Sequence, residues 1–316
     1  MRQRVKIVIK EEIVRELYAI AGEDAVQTAE PMKNHTTFRV GGPADYFVAP
    51  HTEEEIRKIV ALCEEKEIPW FVTGNGSNLV VSDEGYHGVI LSVYKNFQGI
   101  EVEGNRIRAK AGSMLVSISQ AAREAGLSGM EFASGIPGTL GGGVRMNAGA
   151  YGGEMRQVIA RVDCFDMQGN PVSFNREELT FGHRHSVLQE RPVAAHTIHF
   201  ELTPGDGAAL RQEMAELNRR RAEKQPLNYP SAGSTFKRPE GNYASALIDQ
   251  CGLKGCAIGG AQVSEKHAGF LLNRGGTAAD FLALMAHVQR VVRTRTGVQL
   301  EPEVCILGED APAVHL

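Results

Sequence analysis

Apolar positions change their period several times along the chain, and each change predicts an element. From Met1 to Tyr18, charged residues (Lys6, Lys10, Glu11, Glu12, Arg15, Glu16) interleave with apolar ones, which predicts a leading amphipathic helix in a helical segment over 1–25. Residues 37–49 alternate around Gly41-Gly42-Pro43, the pattern of a strand, a turn and a second strand. Thr52 opens a helix: Glu55 completes a capping box, and Ile56, Ile59, Val60 and Cys63 form the buried stripe. Strand-like runs follow at 70–73, 79–81 and 88–93, then a hairpin over 100–110 turning at Gly104-Asn105. A short helix over 114–125 ends at Gly126, and further strands are expected at 157–166, 171–174 and 195–202. The stretch Thr203-Pro204-Gly205-Asp206-Gly207 breaks the pattern and is read as a domain boundary. Beyond it Leu210, Met214 and Leu217 mark one face of a helix that runs into Arg219-Arg220-Arg221. A second helix over 278–296 carries Phe281, Leu284, Met285, Val288, Val291 and Val292 at helical spacing, a core stripe.

A chain of 316 residues is long enough for about two domains. A net charge of −4 argues against a dedicated nucleic-acid binder, and no apolar run is long enough to cross a bilayer. The N-terminus lacks the apolar core of a secretory signal. Five scattered cysteines (Cys63, Cys164, Cys251, Cys256, Cys305) fit reduced thiols, so a cytoplasmic location is expected. Cys251 and Cys256 have no second pair to complete a zinc site, and His183/His185 and His196/His199 lack companion ligands, so no metal is expected.

Glycine changes the picture most. Eight of the twenty residues over 134–153 are glycine, and Gly74-Asn75-Gly76-Ser77-Asn78 forms a second such loop between apolar runs. Glycine at this density costs chain entropy, and it suits backbone that must approach a ligand closely or turn its amides to an anion. Two such loops together favour a phosphate-bearing cofactor over plain tight turns. The loop at 74–79 is not a dinucleotide fingerprint, because Leu79 stands where the third glycine belongs, and no Walker A sequence is present.

Three further patterns carry candidate chemistry. Arg184, within Phe181-Gly182-His183-Arg184-His185-Ser186, can clamp a carboxylate bidentately or remain solvated. Ser231 to Pro239 sets Ser234 beside Lys237 and Arg238, and neighbouring cations make a serine proton easier to give. Leu300-Glu301-Pro302-Glu303-Val304 places two carboxylates at i and i+2, on one side of a strand.

Six motifs in order resemble the UDP-N-acetylenolpyruvylglucosamine reductase family: Thr36–Ala44, Gly74–Leu79, Ser134–Gly142, Met146–Glu154, Pro230–Pro239 and Leu300–Val304. The resemblance runs from about Thr36 to Gly308. It implies an α+β chain with a two-lobed FAD-binding domain of the vanillyl-alcohol-oxidase type over 26–204 (lobes 26–92 and 93–204). An α+β substrate domain over 205–316 would follow, its last strand returning to the flavin site. It also implies a cytoplasmic enzyme of peptidoglycan synthesis in which NADPH reduces FAD, and FAD N5 gives a hydride to the enolpyruvyl ether of UDP-N-acetylglucosamine. By family position Ser234 donates the proton, while Arg184 and Glu303 stabilise the enol and carboxylate. Gly74, Asn75, Gly76, Ser77, Asn78 and Leu79, with Gly135, Ile136, Pro137, Gly138, Gly141 and Gly142, match the FAD pyrophosphate loops. Asn147, Gly149 and Tyr151 fall near the isoalloxazine. Lys224 and Lys237 match positions near the substrate nucleotide, although Lys224 equally suits a cation complementing a helix C-terminus. Residues 74–79 hold no histidine or cysteine, so non-covalent FAD is expected. The expected partner is a small nucleotide-sugar, without nucleic acid or membrane insertion, and the expected state is a monomer.

The short stretch from Phe236 to Gly260 resembles the subtype lacking a substrate-covering insertion. Two residues depart from the family pattern. His183 stands where tyrosine is usual beside the arginine. Arg145 adds a charge before Met146-Asn147, with Glu154 as its candidate partner. The rivals are an oxidase of the same fold, which needs neither Ser234 nor Glu303, and a non-enzymatic nucleotide sensor.

Overall fold

The computed structural model describes the backbone of residues 2–308 and the side chains from residue 10 onward, so the end of the expected substrate domain lies outside the described residues. Helix α1 (Arg2–Ala21) buries Ile13, Leu17 and Ala21 at four-residue spacing against the first lobe. That lobe is a four-stranded sheet of β1 (Val26–Pro31), β2 (Pro43–Val48), β3 (Trp70–Thr73) and β5 (Tyr86–Ser92), with β4 (Leu79–Val81) set apart. The sheet order is β1-β2-β5-β3, antiparallel at the β1 edge and parallel elsewhere. Helix α2 (Glu53–Glu65) starts where Thr52 accepts from the Glu55 amide, and Ile56, Ile59, Val60 and Cys63 are buried as their spacing predicts.

The second lobe is an antiparallel sheet containing β6 (Ile100–Glu103) and β7 (Arg106–Lys110), the hairpin expected at 100–110. Its strand order is Pro171–Asn175, Ile159–Phe165, Ala194–Glu201, β7, β6. Helix α3 (Leu115–Glu124) lies against it and ends before Gly126, whose φ is +66°. The short helix α4 (Leu140–Arg145) follows from the glycine-rich segment. One continuous core joins both lobes.

Helix α5 (Gly207–Lys224) follows the break at 203–207 and packs back on α3 and the 131–135 turn. Beyond it, α6 (Ala244–Gln250), α7 (Ala278–Thr296) and a three-stranded antiparallel sheet (Ala257–Ile258, Ala261–Val263, Leu271–Asn273) enclose a second core. The α7 stripe from Phe281 to Val292 is buried apart from half-buried Val291. Phe38 from the first lobe enters this core edge-on to Phe281, ring centroids 4.2 Å apart, so the two units share buried aromatic surface. The chain then returns: Cys305–Leu307 pairs in parallel with β4.

Two sequence readings are corrected. Residues 37–42 form no strand; Thr36 Oγ1 donates to the Val40 carbonyl at 2.9 Å and closes a local loop instead. The partner of β2 is β1, which the periodicity missed because only Val26 of its six residues is buried.

Candidate active site

The two glycine loops meet. A Cβ on Gly74 would sit 1.9 Å from Thr139 Oγ1, so the first loop passes against the start of α4. Asn75 Nδ2 donates to the Pro137 carbonyl at 2.8 Å and ties the loops together. Gly76 has φ +60°, and a Cβ there would lie 2.1 Å from the His35 carbonyl oxygen; only glycine fits this crossing. Asn78 Nδ2 donates to the Glu303 carbonyl at 3.0 Å, and its own carbonyl accepts from Cys305 N at 2.9 Å. The asparagine side chains therefore hold scaffold, and the backbone is what the loops present.

A cavity of about 460 Å³ opens beside the loops, with Gly74, Gly141 and Gly142 along one side and Ile68, Trp70 and Val193 among its apolar lining. The sequence reading missed this apolar end, because Ile68 and Trp70 carry no signal that separates them from ordinary strand and core positions. Buried polar atoms without partners near the glycine-rich segment include Ser134 Oγ, and Arg184 Nε stands on the catalytic side. Glycine cradles, a joined cavity and orphaned donors fit a large phosphate-bearing cofactor.

The catalytic side is built from three segments. Arg184 sits at φ +56°, a strained setting for a non-glycine residue, in the tight loop closed by Gly182 and His185. Its surroundings hold it there: Gln189 Nε2 donates to the Arg184 carbonyl and Asn147 Nδ2 to the Gly182 carbonyl, each at 2.9 Å. Arg184 Nη1 donates to the Gly149 carbonyl at 3.3 Å, and Nε stands 2.8 Å from Glu303 Oε1. That last contact is an ion pair without an aligned hydrogen bond, which leaves the buried Nε–H without an aligned acceptor. Burial pushes the Glu303 carboxyl above the usual carboxylate range, and Arg184 opposes it only in part. Ser234 follows Gly233 (φ +76°) and bridges Phe270, while the Glu303 amide donates to the Thr235 carbonyl at 2.8 Å. Arg184 and Glu303 are thus brought into contact from distant parts of the chain, and the Thr235–Glu303 backbone bond runs the segment carrying Ser234 alongside that of Glu303.

Comparison with known proteins gives this arrangement a family. Residues 225–307 match the model of the UDP-N-acetylenolpyruvoylglucosamine reductase C-terminal domain, and residues 44–175 match an FAD binding domain. UDP-N-acetylenolpyruvoylglucosamine reductase of Clostridium botulinum (strain Hall) is 48% identical over 292 residues, covering 92% of this chain and 95% of its own. The chain belongs to the UDP-N-acetylenolpyruvoylglucosamine reductase family. The namesake of Caldanaerobacter subterraneus subsp. tengcongensis is 46% identical, over 94% of this chain and 98% of its own. The crystal structure of the Thermus caldophilus reductase is 35% identical with a TM-score of 0.77, covering 88% of this chain and 98% of that one. Membership of the reductase family makes the chain an oxidoreductase with an FAD-binding domain, and the α+β fold class stands as expected.

Within this reductase fold several side chains differ from their sequence reading. Glu301 and Glu303 do not share an environment: Glu303 is buried, while Glu301 is exposed and meets Lys237 Nζ at 3.4 Å. Neither lies in a regular strand, because the strand begins at Cys305 and Pro302 only bridges Phe236. The two cations beside Ser234 have other partners, Lys237 on Glu301 and Arg238 stacked 4.0 Å over the Tyr243 ring. Arg145 does not pair with Glu154. It donates to the Leu188 carbonyl, and Glu154 is taken by Arg156 and by Asn147 Nδ2 at 2.8 Å. Asn147, at φ +40° and buried, ties 154–156 to Gly182 and so supports the Arg184 loop. Tyr151 is exposed on the adjoining turn, and Lys224 is exposed at the last residue of α5. Among the described residues no helix is long and apolar enough to cross a membrane, and no three or more His, Cys, Asp or Glu side chains gather as metal ligands.

Proposed function

We propose that this reductase converts the enolpyruvyl ether of UDP-N-acetylglucosamine to UDP-N-acetylmuramate for peptidoglycan synthesis. NADPH is its reductant and FAD is held without a covalent bond. When bound, FAD supplies hydride transfer from NADPH to the terminal methylene carbon of the substrate. Gly74 to Leu79 and Gly135 to Gly142 hold its pyrophosphate through backbone, and the apolar cavity beside them takes the rest of its nucleotide. Lys224 and Lys237 receive the nucleotide of the substrate.

Hydride addition leaves negative charge on the carboxylate and the adjacent carbon of the substrate. Arg184 meets that charge with a guanidinium fixed by the Gly149 carbonyl and the Glu303 carboxyl. Glu303, its carboxyl pushed up by burial, takes a proton more readily than a free carboxylate and in that form would donate to an enol-like oxygen. Ser234 gives a proton to the carbon next to the ether oxygen, completing addition across the double bond.

The Arg184–Glu303 pair carries this reading, because an oxidase of the same fold has no use for it. The test is anaerobic: NADPH is added to purified holoprotein, followed by the enolpyruvyl nucleotide-sugar. Rapid return of oxidised flavin absorbance is expected. Flavin that stays reduced until air is admitted overturns the reading in favour of the oxidase.

A further inference from the structure

The arginine run closing α5 divides between two environments. Arg219 pairs with Glu216 at 2.8 Å and with Glu223, and Arg220 with Glu216 at 2.7 Å, all on the solvent face. Arg221 instead continues the stripe of Leu210, Met214 and Leu217, the inward face of the helix. Its Cδ lies 3.0 Å from the point a Gly135 Cβ would occupy, so the side chain lies against the second glycine loop. Among the described residues it makes no ion pair, although burial pulls its guanidinium below the ordinary value.

Two neutral polar atoms are left without partners, one next to Gly135 and one four residues beyond Arg221 in the chain. Ser134 Oγ, next to Gly135, is buried and unpartnered, and so is Gln225 Oε1, one helical turn beyond Arg221. Gln225 is fixed there by its amide, which donates to the Arg221 carbonyl at 2.9 Å. Arg221 is half-buried, and a partly desolvated cation without a counter-ion is left short of electrostatic partners, while each orphaned buried polar atom costs stability. The cation against Gly135 and the orphaned Ser134 hydroxyl beside that glycine are accounted for together if a bound group supplies the missing partners.

We propose that Arg221 tunes the cofactor: its guanidinium, with the Ser134 hydroxyl as a neutral companion, serves bound FAD and stabilises the reduced form. The inference rests on FAD being held by the two glycine loops. Hydride uptake from NADPH adds two electrons and one proton, which leaves the cofactor one negative charge richer. A fixed cation against the loop favours that state, and an outward arginine such as Arg219 has no such effect.

The experiment measures the FAD reduction potential by dye equilibration, and FAD affinity by titration, in Arg221→Gln, Arg221→Lys and the control Arg219→Gln. Arg221→Gln is expected to disfavour the reduced form about ten- to hundredfold, a potential lower by about 30–60 mV for this two-electron couple. Arg221→Lys should recover part of the shift, and Arg219→Gln should show none. If Arg221→Gln does not fold, the lysine variant decides, since it keeps the charge but changes its reach. Unchanged potential and FAD affinity with a raised KM for the nucleotide-sugar would overturn the proposal and make Arg221 a substrate residue. Unchanged values throughout would make it a packing residue. Either failure leaves the proposed reaction standing, because turnover of the enolpyruvyl substrate is read separately.

Discussion

Arg184 Nε and Glu303 Oε1 stand 2.8 Å apart, close enough for ionic attraction yet misaligned for a hydrogen bond. The pair is therefore attractive without a fully formed hydrogen bond, and its part in the proposed reaction can be measured. Replacing Glu303 with Ala should slow the substrate half-reaction about 10²–10³-fold, the usual loss when one stabilising group is removed from such a site. Stopped-flow reoxidation of the reduced enzyme measures this, and a change below threefold would exclude the role.

The pH dependence follows from the same carboxyl. Its folded value lies above that of the free side chain, so the neutral form persists at higher pH and is lost as pH rises through the raised value. The substrate half-reaction should decline over that window on the alkaline side. Glu303→Gln, a permanently neutral donor, should remove that limb while keeping part of the rate. A profile unchanged by the substitution would assign the limb to another group.

Ser234→Ala should leave flavin reduction by NADPH intact and lower the substrate half-reaction about 10²–10⁴-fold, the range for a lost general acid. Equal loss in both half-reactions would point to damaged cofactor binding rather than to proton transfer.

Gly76→Ala tests the first loop. The added Cβ meets the His35 carbonyl at a backbone φ of +60°, so the loop must move. The variant should purify with little FAD and lose more than about 1 kcal/mol of stability. Full flavin content with wild-type melting would show that the crossing tolerates a methyl group.

Asp83 tests the seam between the units. Its carboxylate accepts from Ala278 N and Ala279 N, both at 2.9 Å, and so caps α7 from the first lobe. Asp83→Ala should cost about 0.5–2 kcal/mol in denaturant unfolding, as a lost cap does, with the FAD spectrum retained. No change in the midpoint would place the seam's stability in the Phe38–Phe281 contact instead.

What could be read from the chain was whatever a local pattern encodes. The Thr52–Glu55 cap, the α2 and α7 stripes and the hairpin turn at Gly104 each depend on residues a few positions apart. The roles proposed for Ser234, Arg184 and Glu303 came instead from family resemblance, since no spacing relates Arg184 to Glu303. Partner choice was misread where competition decided it: Arg145 had a carboxylate candidate in Glu154, but Arg156 and Asn147 hold that carboxylate and a carbonyl holds Arg145. The cavity's apolar end and the inward turn of Arg221 were invisible for a related reason. Their meaning lies in what faces them across the fold: the Leu210, Met214 and Leu217 face was legible, but that Arg221 extends it against Gly135 shows only once the helix is docked.

Asn78 and Glu303 are joined across 225 residues of chain. During synthesis from the N-terminus, the glycine loop emerges long before the segment that carries Glu303 and pairs with β4. Such a long-range closure is slow compared with local folding. The nascent FAD-binding lobes therefore exist for a time without Glu303, and the Arg184–Glu303 contact forms only after the C-terminal segment has docked.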